Sequence, residues 1–141
     1  MVIGRSRKFR EERSREQNNK DTGKSIGTRF EAKTASLLAS SGYRVVCRNF
    51  RSRVGEIDLI ATNEHCLLFV EVKARSSSSH GGAVASVTRK KQCKIARCAA
   101  LYLQQQPHLK HLPCRFDVVV WVRDGATDSY CARWIPGAFV A

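Results

Sequence analysis

Acidic side chains are scarce in this sequence. Its 141 residues carry 12 Asp and Glu against 25 Lys and Arg, a net charge of +13. Charge of one sign does not decide a fold, but it directs the search for partners toward polyanions, with nucleic acid first and an anionic membrane surface second. Long apolar runs are missing. None approaches the ~20 residues that span a bilayer, so no membrane partner is expected. The charged N-terminus has no apolar stretch of the kind a secretory signal needs. Glu11, Glu12 and Glu16 within it argue against an organellar transit peptide. No C-x-x-C pair occurs among Cys47, Cys66, Cys93, Cys98, Cys114 and Cys131. Several lie among apolar residues, as reduced thiols of a cytoplasmic protein do, and a disulfide framework or a zinc site is the lesser reading. Internal repeats are absent, and the length allows one domain with a core.

What is present falls into two parts. Residues 1–24 are rich in Arg, Lys, Glu, Ser and Asn, with few apolar residues and no periodicity. They read as a disordered basic tail that either has no role or adds phosphate contacts. Residues 25–141 read as one α/β domain, and its centre is the stretch from Arg53 to Arg75. Two apolar runs flank Asn63-Glu64-His65, which predicts a hairpin. Alternation puts Leu67, Phe69, Glu71 and Lys73 on one face of the second strand, and Glu56, Asp58 and Ile60 on one face of the first. Ile57, Leu59 and Ala61 take the opposite face of that first strand.

A turn centred between Glu64 and His65 sets Ile60 opposite Phe69, Asp58 opposite Glu71 and Glu56 opposite Lys73. Opposed residues have Cβ atoms about 4.5–5.5 Å apart. Two carboxylates that close repel unless a positive group lies between them. A divalent metal is the expected group, because Mg²⁺ is commonly held by one or two carboxylates together with waters and substrate phosphate. Lys73 adds a fixed positive charge beside it.

Around the hairpin, an apolar stripe of Phe30, Ala32, Ala35, Leu37, Leu38 and Ala39 predicts a helix over 25–41 with Gly42 as its stop. Residues 43–50 predict a strand. Asn49, Arg51, Ser52 and Arg53 read as a loop in which Arg51 and Arg53 contact phosphate. SSSSHGG after Arg75 is a flexible loop, and its His80 reads as exposed. Residues 87–105 predict a second helix, apolar along Ile95, Ala96, Ala99 and Leu103, and basic at Arg89, Lys90, Lys91, Lys94 and Arg97. His108 and His111 lie in a proline-bracketed loop with little promise as metal ligands. Residues 115–122 and 130–135 predict strands, the last an edge before Pro136. Asp117 reads as a structural acid paired with a nearby Arg.

Asp58 followed by Glu71-Val72-Lys73 resembles the PD-(D/E)xK nuclease superfamily. The wider text NFRSRVGEIDLIA, FVEVKAR and SVTRKKQ is similar to the YraN-like family of endonuclease-like proteins, related to archaeal Holliday-junction resolvases. The residue before Asp58 is Ile57, where the superfamily's name has proline. The resemblance implies a restriction-endonuclease-like core, a mixed central sheet flanked by helices. It implies catalytic roles for Glu31, Asp58, Glu71, Lys73 and Gln92, with Asp58, Glu71 and Glu31 holding Mg²⁺, or Mn²⁺ in its place. Taken alone, Glu31 is a residue near a helix start, favourable to the helix dipole. DNA contacts are expected from Arg51, Arg53, Arg75, Arg89, Lys90, Lys91 and Lys94, with no small-molecule cofactor. Because related resolvases are dimers, the resemblance also brings a homodimer. The expected function is Mg²⁺-dependent hydrolysis of DNA phosphodiesters, selective for junctions or flaps. The alternative is a nucleic-acid-binding protein that keeps the fold without catalysis. The acids discriminate, since a pure binder gains nothing from three carboxylates facing a polyanion.

Overall fold

The computed structural model describes residues 23–76, 87–127 and 129–140. Helix α1 spans Gly23–Ser40, followed by strands β1 (Arg44–Ser52), β2 (Gly55–Thr62) and β3 (Leu67–Arg75). Helix α2 (Arg89–Gln105) and a 3₁₀ turn (Pro107–Leu109) lead to β4 (Cys114–Asp124) and β5 (Ser129–Phe139). The five strands form one sheet in sequential order. All neighbours are antiparallel except β3 and β4, which run parallel. A parallel pair needs a crossover connection, and α2 supplies it. This is the α/β, mixed-sheet arrangement of a restriction-endonuclease-like core.

The sheet is buried on both faces. On one face Phe30 and Leu38 of α1 pack with Leu59, Leu68, Val70 and Trp121. On the other, Ile95, Cys98, Ala99 and Tyr102 of α2 pack with Ile60, Phe69 and Val118. Thr34 pins α1 to the sheet: its hydroxyl donates to the Phe30 carbonyl at 2.7 Å and accepts from Trp121 Nε1 at 2.9 Å. Gly42, at φ +91°, ends α1 as expected, with Tyr43 N donating to the Leu38 carbonyl at 3.0 Å. Thr88 caps α2 by accepting from Lys91 N at 3.1 Å.

Several expectations are corrected. The described helix α1 starts at Gly23, so Glu31 lies two turns inside it, beyond the reach of the terminal dipole. Ala32 and Ala39 are exposed, and buried Thr34 takes a place in the stripe. Asn49, Arg51 and Ser52 belong to β1 rather than to a loop: Arg51 pairs with Glu56 and Ser52 with Gly55, leaving a turn of Arg53 and Val54 alone. Strand β5 runs past Pro136 to Phe139, with an irregularity opposite Asp117 that accommodates Pro136 and Gly137 (φ +59°). The rest of the tail, residues 1–22, and His80 with most of its loop lie outside the described residues.

Candidate active site

The β2–β3 turn is built by Asn63, whose side-chain oxygen accepts from His65 N at 2.8 Å and Cys66 N at 2.9 Å. It sets the expected register: Thr62 opposite Leu67, and Ile60 opposite Phe69. The ladder then stops at Leu59–Val70, although both strands continue. One pair further on, Asp58 does not meet Glu71 through the backbone. Its Oδ2 instead accepts from Val72 N at 2.8 Å, so a side chain takes the place of the next ladder bond. The site lies in this fork.

The same bend changes two other expectations. Ile57 packs with Ile60 in the cluster under α2 instead of sharing a face with Leu59 and Ala61. Glu56 does not oppose Lys73. Its carboxylate meets Arg51 Nε at 3.4 Å on the exposed β1–β2 hairpin, while Lys73 pairs with Val120 of β4. The residue opposite Asp58 on β1, between the Arg48–Leu59 and Phe50–Ile57 pairs, is Asn49 at φ +52°. Asparagine tolerates this left-handed conformation better than most residues. Its side chain faces Glu31 and favours the charged form of that carboxyl. Sequence reading gave Asn49 no such role. The available signal was an Asn inside a β-forming run, one register position from Asp58.

Three carboxyls meet here. Glu31 reaches in from α1, and burial followed by the charge of Asp58 holds it above the usual carboxylate range, with Asn49 offsetting part of the rise. Glu71 is 8% exposed. Burial, then the charge and hydrogen bond of Asp58, push its carboxyl up to about 8 against the pull of Lys91 and Lys73. Asp58 is the neighbour shared by both. Lys91 Nζ lies 3.3 Å from Glu71 Oε1. Lys73 is half-buried beside it, and burial followed by the nearby Lys91 ammonium lowers its pKa.

Of the expected residues, Glu31, Asp58, Glu71, Lys73 and Lys91 are therefore brought together. Gln92 is not aimed at them by its amide nitrogen, which donates to the Val87 carbonyl at 3.0 Å and ties down the start of α2. Arg51 is paired with Glu56. Arg53, Arg75, Arg89, Lys90 and Lys94 are exposed around the fork and on α2. Lys90, Lys91 and Lys94 line a cleft of about 370 Å³ with Gly55, Glu56, Thr88 and Ile95.

Among the described residues no group of three or more His, Cys, Asp and Glu side chains forms a ready-made metal cage. The pair Asp58 and Glu71 nevertheless fits an ion that needs few protein ligands. The two lie close enough for Asp58 to raise the Glu71 carboxyl, and Glu71 draws in an ammonium, as acids do when no stronger cation separates them. Mg²⁺ takes one or two carboxylates and completes its shell with water and phosphate, and Mn²⁺ suits the same oxygen donors.

This acid pair also gives a pH dependence. Glu71 titrates near 8 when folded and near 4.5 when unfolded, so the stability of the metal-free protein is full below about pH 4.5 and falls as pH rises through 8. The loss is roughly 2–4 kcal/mol. Chemical denaturation in chelator at pH 5 and pH 8.5 checks it: wild type loses stability over that interval, and Glu71→Gln loses much less. Equal losses in the two proteins would place the effect elsewhere.

Fold and fork together define a restriction-endonuclease-like α/β domain with an acid pair at a divided strand pair. The chain belongs to the uncharacterised protein family UPF0102, the YraN family, whose model matches residues 30–121. It is 43% identical over 114 residues to a UPF0102 protein of Hahella chejuensis, covering 81% of this chain and 89% of that one. It is 44% identical over 116 residues to UPF0102 protein STH1475 of Symbiobacterium thermophilum, covering 82% and 97%. A UPF0102 protein of Aeromonas hydrophila is 43% identical over 124 residues, covering 87% and 91%. Among the described residues no helix is long and apolar enough to cross a membrane.

Proposed function

We propose that this protein is a Mg²⁺-dependent DNA endonuclease that selects branched or flapped DNA, with Mn²⁺ able to replace Mg²⁺. The observation that carries the reading is the Asp58–Glu71 pair, enclosed with Lys73 and Lys91 at the fork between β2 and β3. A fold needs no such arrangement, because it holds like charges together at a cost in stability. Asp58 and Glu71 would hold the metal, with Glu31 completing its surroundings directly or through water. When bound, the metal supplies charge neutralisation at the scissile phosphate and a lowered pKa for a coordinated water.

The chain's own groups do the rest. Asp58 is fixed by Val72 N, so its orientation does not depend on substrate. Lys73 has a lowered pKa, which suits it to exchanging a proton with the attacking water and to stabilising charge that builds on the phosphorane. Lys90 and Lys94 lie along the cleft beside the fork, at the spacing that places side chains on one helix face. They would hold the phosphates that flank the scissile one. Arg53 and Arg75 would add contacts at the rim.

Two measurements test this reading. Replacing Lys90 and Lys94 together with Gln should weaken binding to duplex DNA and flatten its log–log salt slope by about 0.9 per lost contact. An unchanged slope would remove α2 from the DNA surface. Cleavage of labelled DNA should appear with Mg²⁺ and stop with chelator. Binding without cleavage under every metal condition would favour the non-catalytic binding protein.

A further inference from the structure

We infer that Lys91 is a built-in stand-in for the metal: in the metal-free protein its ammonium occupies the cation position at Glu71, and it must leave for the metal to enter. The inference rests on the metal-binding reading of Asp58 and Glu71. Three observations carry it. Lys91 Nζ stands 3.3 Å from Oε1 of Glu71, a carboxylate of the proposed metal pair. Glu71 is almost fully buried, whereas the Lys91 side chain is 40% exposed, so the lysine is the partner that can move. Lys91 also lines the cleft shared by Lys90 and Lys94, which gives a displaced ammonium an open, solvated place to go.

The position in the fold fits this role. Lys91 sits in the first turn of α2, where its backbone N–H is fixed by Thr88 and its long side chain reaches the fork. Lys73, by contrast, comes from the central strand β3 and is held by that strand's pairing with β4. Three carboxyls and two ammoniums make up the metal-free site. A divalent ion arriving between Asp58 and Glu71 puts more positive charge there than the carboxyls balance, and the Lys91 ammonium leaves toward the cleft. Once displaced toward the cleft, it joins Lys90 and Lys94, so a single side chain closes the empty site and faces the backbone phosphate in the loaded one.

The test is Mg²⁺ titration by calorimetry on the full chain without nucleic acid, well above pH 8, because losing Lys91 lets the Glu71 carboxyl rise further and a proton would compete with the metal. Lys91→Met should bind Mg²⁺ about three- to tenfold more tightly than wild type, because the metal no longer displaces an ion pair. Lys91→Arg, which keeps a cation against Glu71, should stay close to wild type. Lys94→Met, which removes a charge from the same cleft without touching Glu71, should shift affinity by less than Lys91→Met. Asp58→Asn should abolish binding. If Asp58→Asn abolishes binding while Lys91→Met binds no better than wild type, the stand-in role is overturned and the metal site stands. If Lys91→Met and Lys94→Met tighten binding equally, the effect is general charge and the role is again overturned. Mg²⁺ binding by Lys91→Met but not by wild type supports the role in its strongest form. If neither binds Mg²⁺, the metal reading itself fails and the stand-in role falls with it.

Discussion

Asp58→Asn should abolish Mg²⁺ binding and at the same time make the metal-free protein more stable at pH 8.5. The side-chain oxygen of an Asn can still accept from Val72 N, which Asp58 now serves at 2.8 Å, so the fork keeps its shape. What disappears is the negative charge that helps to push Glu71 up to about 8. Burial is the larger cause of that shift and survives the substitution. The gain is therefore a fraction of the whole cost of the pair, about 1–2 kcal/mol. Metal affinity falls with the lost ligand, and cleavage falls with it. Lys73→Met should move the other way in metal-free buffer, with lower stability and a smaller change in metal affinity. Its effect is tempered because Lys91 stands on Glu71 as a second cation. Thermal melts in chelator and Mg²⁺ calorimetry on both variants check the pair of signs. A metal-free Asp58→Asn that is less stable, with metal affinity unchanged, would make Asp58 a satisfied structural acid.

The largest loss of stability should come from another acid. Asp117 is fully buried and accepts from Arg115 Nε at 2.8 Å, Arg115 Nη2 at 2.9 Å, Trp134 Nε1 at 2.8 Å and Gly137 N at 3.0 Å. Four donors from β4 and β5 converge on one carboxylate, where the register between the two strands is interrupted. Asp117→Ala leaves those donors without their acceptor, one of them a guanidinium. Removing one partner of a buried ion pair costs about 3–5 kcal/mol. Denaturant unfolding should show that loss, with a melting temperature lower by roughly 10 °C or more. A change below about 1 kcal/mol would mean that water or a shift of β5 satisfies the donors. Asp117 lies on the α1 face of the sheet with Trp134, and Glu71 on the other, so Mg²⁺ affinity of the folded protein should not follow the loss.

The two acids show how far the sequence carries. Asp117 reads as structural from its place in a β-forming run beside Arg115, and the structure agrees. Asp58, Glu71 and Lys73 are legible because alternation and a turn centred on Glu64 and His65 are local rules, and the observed register obeys them up to Leu59–Val70. Gly42 is legible for the same reason, since helix stops are local chemistry. The fork is not legible. It depends on a side chain replacing a backbone bond at Val72 and on a left-handed Asn49 in the neighbouring strand. Alternation assumes an unbroken ladder, so it misplaces Ile57 and Glu56 just where the ladder ends. The contact of Lys91 with Glu71 is also beyond local rules. It joins residues 20 apart through the crossover connection. Sequence reading gave Lys91 a DNA contact and gave Gln92, through the resemblance, a catalytic role, whereas Lys91 meets Glu71 and the Gln92 amide is engaged at Val87.

The most direct test of the central claim is a cleavage assay on a panel of linear, single-stranded, flapped and four-way-junction DNA, with Mg²⁺ or chelator, for wild type and Asp58→Asn side by side. The account predicts Mg²⁺-dependent cleavage by wild type, strongest on the branched members, and none by Asp58→Asn although it still binds the same DNA. Cleavage of equal rate by Asp58→Asn, or binding by wild type with no cleavage of any member in Mg²⁺ or Mn²⁺, would contradict it.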